Sequence, residues 1–308
     1  MILSVSRRTD IPNYYPEWFI RRLEEGYLYV RNPINARQVG RINLSPKVVD
    51  CIVFWTKNPE NMMVYLDSIN AYPYYFQFTL NGYGADVEPG LPGLEHLIGV
   101  FQKLSEKIGS SRVIWRYDPI FLSSEHTMEE HTRTFAKICE KLKGYTQRVV
   151  ISFIDFYAKT VRNTKNTDIR GLTENEMNVL AGHLAEIAEQ NQMDIVSCAE
   201  NIDLERVGVK HGCCIDKELV EKIIGCRFIG KKGRNQREEC GCFESIDVGT
   251  YNTCLCGCRY CYANDNKIRT ERTAGSYDAA SPILCGELRD GDKIYERRML
   301  SLVFTPPF

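Results

Sequence analysis

At 308 residues, with 39 Lys and Arg against 40 Asp and Glu and a formal net charge of -1, the chain is long enough for one large core and lacks the basic excess of a protein that holds nucleic acid by charge. No eighteen apolar residues run together and "MILSVSRRTD" is too short and wrongly ordered for a secretory leader, so a soluble, cytoplasmic protein without membrane contact is expected. Thirteen cysteines, ten of them between Cys198 and Cys261, argue against a secreted disulfide framework and for a thiol site in a reducing compartment.

Taken in chain order, the first strand is "ILSVS" (2–6), and Pro16 opens a helix, "PEWFIRRLEEG". Further strands follow at 51–55 ("CIVFW"), 74–80 ("YYFQFTL"), 112–117 ("RVIWRY") and 148–154 ("RVVISFI"). Thr173 and Glu176 form a capping box ahead of the helix "MNVLAGHLAEIAEQ". Strands at 194–198 ("DIVSC") and 245–249 ("SIDVG") come last, and from Asn266 the chain is polar and irregular until "MLSLVF", which reads as a wrapping tail.

The strands are continuously apolar, as strands covered on both faces are, and strand then helix repeats along the chain. The expected fold class is α/β, a partial or full (β/α) TIM-type barrel. The barrel core would span 1–200, with 201–308 a cysteine-rich C-terminal region. Nearly every strand ends in a polar group: Arg7, Arg8 and Asp10 after the first, Lys57 after the second, Arg116 and Asp118 on the fourth, Cys198 and Glu200 on the sixth. In such barrels the strand C-termini converge on one face, where the chemistry sits.

The last strand delivers "TYNTCLCGCRYCYAND", with Cys254, Cys258 and Cys261 at C-x3-C-x2-C. Three thiolates so spaced, with Gly257 allowing a tight bend, suit three irons of a 4Fe-4S cluster and leave the fourth open. Zinc with Cys256 as a fourth ligand is the competing reading, although structural zinc draws its ligands as separated pairs. Redox-active thiols are the third. A second set, Cys198, Cys214, Cys240 and Cys242, could hold another iron-sulfur cluster or a zinc; buried, unliganded cysteines are the plain alternative.

The cysteine loop, with Tyr260 before its last cysteine and "YA" after it, resembles the cluster loop of radical S-adenosylmethionine enzymes, closest to the spore photoproduct lyase-like branch. "SVSRRTDIPNYYPEWFIRRLEEG", "IVFWTKNP" and "RVIWRYDPIF" resemble later strand segments of that branch. In that superfamily the loop follows the first strand, whereas here it follows residue 250. The resemblance therefore implies a circularly permuted barrel, in which the C-terminal region supplies the cluster-bearing strand. It implies a 4Fe-4S cluster on Cys254, Cys258 and Cys261, and S-adenosylmethionine on its open iron with adenine near Tyr260. It further implies an electron donor such as a flavodoxin or ferredoxin, acting for an unidentified substrate.

Arg116 is the first choice for the cofactor carboxylate, with Arg7, Arg8 and Lys57 as further candidates; salt bridges to Asp10 and Asp118 are the alternative. Glu88 is a lesser polar contact, and none of the five histidines shows metal spacing. Nearly the whole chain also resembles the domain of unknown function 1848 family, in "SVSRRTDIP", "VFWTKNP", "RYDPI", "SCAE", "CID", "QR" before "CGC", and "YNTC" to "CYAN". In that resemblance Cys198, Cys214, Cys240 and Cys242 match while Cys213, Cys226 and Cys256 do not. The basic run at 227–237 reads as a solvated loop, and nucleic acid is not an expected partner. The alternatives to a radical enzyme are an electron-carrying or metal-binding protein and, below it, a nucleic-acid repair lyase.

Overall fold

The computed structural model describes residues 1–233 and 239–304. Its strands are β1 (Ile2–Val5), β2 (Tyr27–Arg31), β3 (Gln38–Asn43), β4 (Cys51–Thr56), β5 (Tyr74–Thr79), β6 (Val113–Ile120), β7 (Arg148–Phe153), β8 (Asp194–Cys198), β9 (Lys210–Gly212), β10 (Ser245–Asp247) and β11 (Lys293–Glu296). Its helices are α1 (Ile11–Tyr14), α2 (Pro16–Glu25), α3 (Glu60–Met63), α4 (Leu94–Ile108), α5 (Met128–Leu142), α6 (Ala158–Thr164), α7 (Glu174–Gln190), α8 (Lys217–Ile224) and α9 (Lys267–Ala274). Helix α7 starts on the expected capping box, Thr173 accepting from the Glu176 amide and Glu176 from the Thr173 amide.

Eight strands form one sheet in the order β10-β1-β4-β5-β6-β7-β8-β9, and every pairing in it is parallel. Leu3, Ile52, Phe76, Trp115 and Val149 pack outward under the helices, while Ile2, Val53, Tyr75, Ile114, Val150 and Val196 form a second, inner cluster. The sheet is strongly curled. The Tyr75 hydroxyl and the Gln77 amide both donate to the Cys214 carbonyl at 2.8 Å, whereas β5 and β9 would lie about 19 Å apart if four strand spacings were laid flat. The architecture is a partial TIM-like barrel whose two sheet edges are β10 and β9.

Four strands have no counterpart in the sequence reading, among them the short edge strand β9. β2 and β3 form an antiparallel hairpin, and β11 adds to it in parallel. Beyond β11 the tail crosses the N-terminal ends of the strands. Ser301 Oγ and the Leu302 amide donate to Asp50, and the Met1 nitrogen lies 2.9 Å from the Leu300 carbonyl. Among the described residues no helix is long and apolar enough to cross a membrane.

Candidate metal centre

Parallel register sends every strand C-terminus to the same end of the barrel, and there a cavity of about 760 Å³ opens. Its lining includes Arg7 and Arg8 after β1, Lys57 after β4, Arg116 on β6, Cys198 ending β8, and Cys214, Cys240 and Cys242 from the stretch between β9 and β10. Cys254, Cys258, Tyr260 and Cys261 line it too. All the cysteines and all the basic or aromatic residues singled out as site candidates therefore face one space.

β1 and β10 are knitted together by Asp247, a residue the sequence reading passed over. Its carboxylate accepts from Ser6 Oγ at 2.6 Å, the Arg7 amide at 2.8 Å and the Gly249 amide at 3.0 Å. Trp55 is a second such residue: its indole N–H donates to Ser4 Oγ at 3.0 Å, and its ring carries the Arg7 and Arg116 guanidinium groups at 4.5 and 5.3 Å. Arg116 also pairs with Asp118. Burial alone would lower the pKa of Arg116, but the Cys214 sulfur and the Asp118 carboxylate beside it outweigh that and hold it fully protonated.

Lys57, Glu88 and Tyr260 make a buried network under the cysteine loop. The Lys57 ammonium donates to Glu88 Oε1 at 2.7 Å, and the Tyr260 hydroxyl donates to the same oxygen. Asn81 Nδ2 donates to the Tyr260 oxygen at 3.2 Å, which fixes the ring where it also packs on Tyr83 and Phe121. Burial pulls Lys57 down and Glu88 more than restores it, so the side chain stays charged. Asp10 accepts from the Lys57 amide at 2.7 Å and the Asn13 amide at 3.1 Å. Its desolvation nevertheless pushes it up to about 6.

The loop bearing Cys254, Cys258 and Cys261 turns at Gly257, with φ of +69°, a conformation that costs glycine nothing. It is pinned from several sides. Tyr15 donates to the Thr253 carbonyl at 2.6 Å, the Gly90 amide to the Cys256 carbonyl at 3.0 Å, and Asn163 to the Cys261 carbonyl at 2.8 Å. A Cβ at Gly90 would stand 2.4 Å from the Leu255 carbonyl oxygen.

Cys254, Cys258 and Cys261 are half-buried, and the amides of Ala263 and Asn264 each donate to Cys261 Sγ at 3.3 Å. Donors aimed at sulfur favour the thiolate that a metal requires. Burial still pushes the Cys261 thiol up to about 12, while donation from Cys256 lowers Cys254. Cys256, the fourth ligand of the zinc reading, is buried between its neighbours and points toward Asp10. The three motif sulfurs do not fall within 4.8 Å of one another. A cluster that ties each cysteine to a different iron needs the sulfurs farther apart than a single ion does.

The second cysteine set is packed differently. Cys198, Cys214 and Cys242 place their sulfurs within 4.8 Å of one another, all buried, and could hold a metal. Cys198 and Cys214 Sγ are 2.9 Å apart, Arg116 donates to Cys214 Sγ at 2.5 Å, and the amides of Cys214 and Ile215 donate to Cys242 Sγ at 3.2 and 3.4 Å. Cys242 accepts from the thiols of Cys198, Cys214 and Cys240, which together drive its pKa far down. The same contacts hold Cys198 and Cys240 up as thiols.

Elsewhere, Asp86 converges with the adjacent Glu125 and His126, their ligand atoms within 4.8 Å of one another. Glu200 is structural, accepting from the Phe153 amide at 2.8 Å. Residues 234–237 of the basic run at 227–237, including the "QR" pair, lie outside the described residues.

Neither the curated proteins nor the solved structures compared with this sequence contain a match. A family match does cover residues 2–263, from β1 to the end of the cysteine loop. The chain belongs to the family described as Domain of unknown function (DUF1848).

Proposed function

We propose that the chain is an enzyme that holds a 4Fe-4S cluster through Cys254, Cys258 and Cys261 and binds S-adenosylmethionine against it. Together these groups would supply reductive cleavage of a carbon-sulfur bond and hydrogen abstraction from substrate by a 5′-deoxyadenosyl radical. The observation that carries this reading is the convergence of three thiols from one loop, without histidine, on a basic cavity at the strand C-termini.

The residues of the chain have separable tasks in it. The three thiolates anchor iron and leave one position open, and Tyr260, fixed by Glu88 and Asn81, offers a rigid ring for adenine. Arg116, Arg7, Arg8 and Lys57 neutralise the carboxylate of the cofactor, with Arg116 first. The position of β10 beside β1 suits a barrel whose first strand has moved to the end of the chain. On this reading 1–200 supplies the basic groups and 201–308 the cluster-bearing strand and tail. A flavodoxin or ferredoxin would deliver the electron in a reducing cytoplasm.

Anaerobic reconstitution with iron and sulfide, followed by dithionite and S-adenosylmethionine, tests this. The expected product is 5′-deoxyadenosine, formed by the native chain and not by Cys258→Ala. A protein that keeps a cluster of four irons on these cysteines yet yields no 5′-deoxyadenosine would be an electron carrier instead.

A further inference from the structure

β9 and β10 are the two edges of the sheet and are not paired with each other, and residues 213–233 and 239–244 lie between them in the chain. Four of the nearby cysteines converge here: Cys198 ending β8, Cys214 just after β9, and Cys240 and Cys242 just before β10. On one side they pack among apolar side chains, since Val196, Ile215, Val220 and Phe228 belong to the same buried cluster, and on the other they face the cavity. We propose that these four thiols bind one tetrahedral thiophilic ion, zinc or iron, which staples the β9-to-β10 connection into the barrel and closes it where strand pairing does not.

Spacing decides between a single ion and a cluster. Four thiolates on one ion with metal-sulfur bonds of about 2.3 Å form a tetrahedron with edges of about 3.8 Å. Cys198, Cys214 and Cys242 lie within 4.8 Å of one another, on the scale of that tetrahedron, and Cys240, outside that group but in contact with Cys242, is the ligand that the ion would draw in. A four-iron cube ties each cysteine to a different iron and spreads the sulfurs more widely. Four protein ligands leave no open position, which marks a structural site.

The donors around the sulfurs agree. A divalent ion with four thiolates keeps two negative charges, and Arg116 donates to Cys214 Sγ at 2.5 Å while two backbone amides donate to Cys242 Sγ. Such outer contacts orient ligands and balance charge at metal sites. Backbone bonds bring the ligand-bearing segments together: the Phe243 amide donates to the Ile215 carbonyl at 3.1 Å, the Gly233 amide to the Cys242 carbonyl at 3.0 Å, and the Cys214 carbonyl accepts from Tyr75 and Gln77.

The test uses the full chain with Cys254, Cys258 and Cys261 all changed to alanine, so its outcome is independent of the proposed radical chemistry. Elemental analysis is expected to find one zinc or one iron per chain, naming the ion, with no acid-labile sulfide. Cobalt(II) put in its place should show the charge-transfer and ligand-field bands of a tetrahedral four-thiolate site. Removing the ion should lower the midpoint of thermal unfolding by several degrees. Cys242→Ser in the same background should lose the ion; where that variant does not fold, metal release into a chromogenic chelator, followed during unfolding of the parent, should coincide with loss of structure. Several irons with matching sulfide, no bound metal, or an unfolding midpoint indifferent to metal removal would each overturn the proposal.

Discussion

Lys57 and Glu88 are a pair whose value lies in being a pair. Their side chains are 15 % and 5 % exposed, so deleting one leaves an uncompensated buried charge, which costs about 3–5 kcal/mol. Glu88→Ala is expected to lose that much by urea unfolding, and Lys57→Met with Glu88→Leu to recover most of it. Equal stability of the single and double variants would show that the pair is solvated. His131 gives the pH dependence. Its ring donates from Nε2 to the Phe121 carbonyl at 2.6 Å and accepts at Nδ1 from the Tyr117 hydroxyl at 2.8 Å, and burial lowers its pKa from 6.5 to about 4, with His126 lowering and Glu130 raising it. The unfolded chain therefore takes up the proton first, so stability is full above pH 6.5, falls as pH drops, and levels off below about 4 with a loss of about 3 kcal/mol. His131→Gln should flatten that part of the stability curve. At this scale the thiols were legible because a C-x3-C-x2-C loop has few chemical uses. Asp247 and Trp55 were not, since their roles depend on which strands become neighbours.

Among the elements, the strands of the barrel were readable because burial on both faces leaves continuous apolar runs; β1 and β4 to β8 lie within a few residues of their expected bounds. β9, with the sequence Lys-His-Gly, and β11, exposed along its length, carry no such signal. β2 and β3 escaped because the turn between them has none of the short Gly-containing signatures of a tight hairpin. The cysteine loop and the turn at Gly90 touch backbone to backbone, a contact that cannot yield by rotating a side chain. Gly90→Ala should displace the loop and cut iron binding at Cys254, Cys258 and Cys261 severalfold, with the circular dichroism of the barrel unchanged. Full iron loading in that variant would mean that the loop tolerates the shift.

For the whole molecule, chain order and spatial order disagree. The Met1 nitrogen and the Leu300 carbonyl are in contact across the floor of the barrel, and neighbouring ends of this kind are where permutation succeeds. A variant that joins Phe304 to Met1 through a Gly-Ser linker and opens between Gly225 and Cys226, after α8, should fold to the same circular dichroism spectrum and unfold at a similar urea concentration. An aggregated product would mean that the present connectivity is required. The pairing of β1 with β10 has a temporal consequence as well. Ile2 lies beside Ser245, so during synthesis at about 5–20 residues per second the first strand waits at least about 10 s for its outer neighbour. Until then it presents unpaired amides and carbonyls to other nascent chains, an invitation to intermolecular strand addition. Completion of the barrel accordingly waits for β10 to be made, and chaperone supply during that interval should govern the yield of native protein.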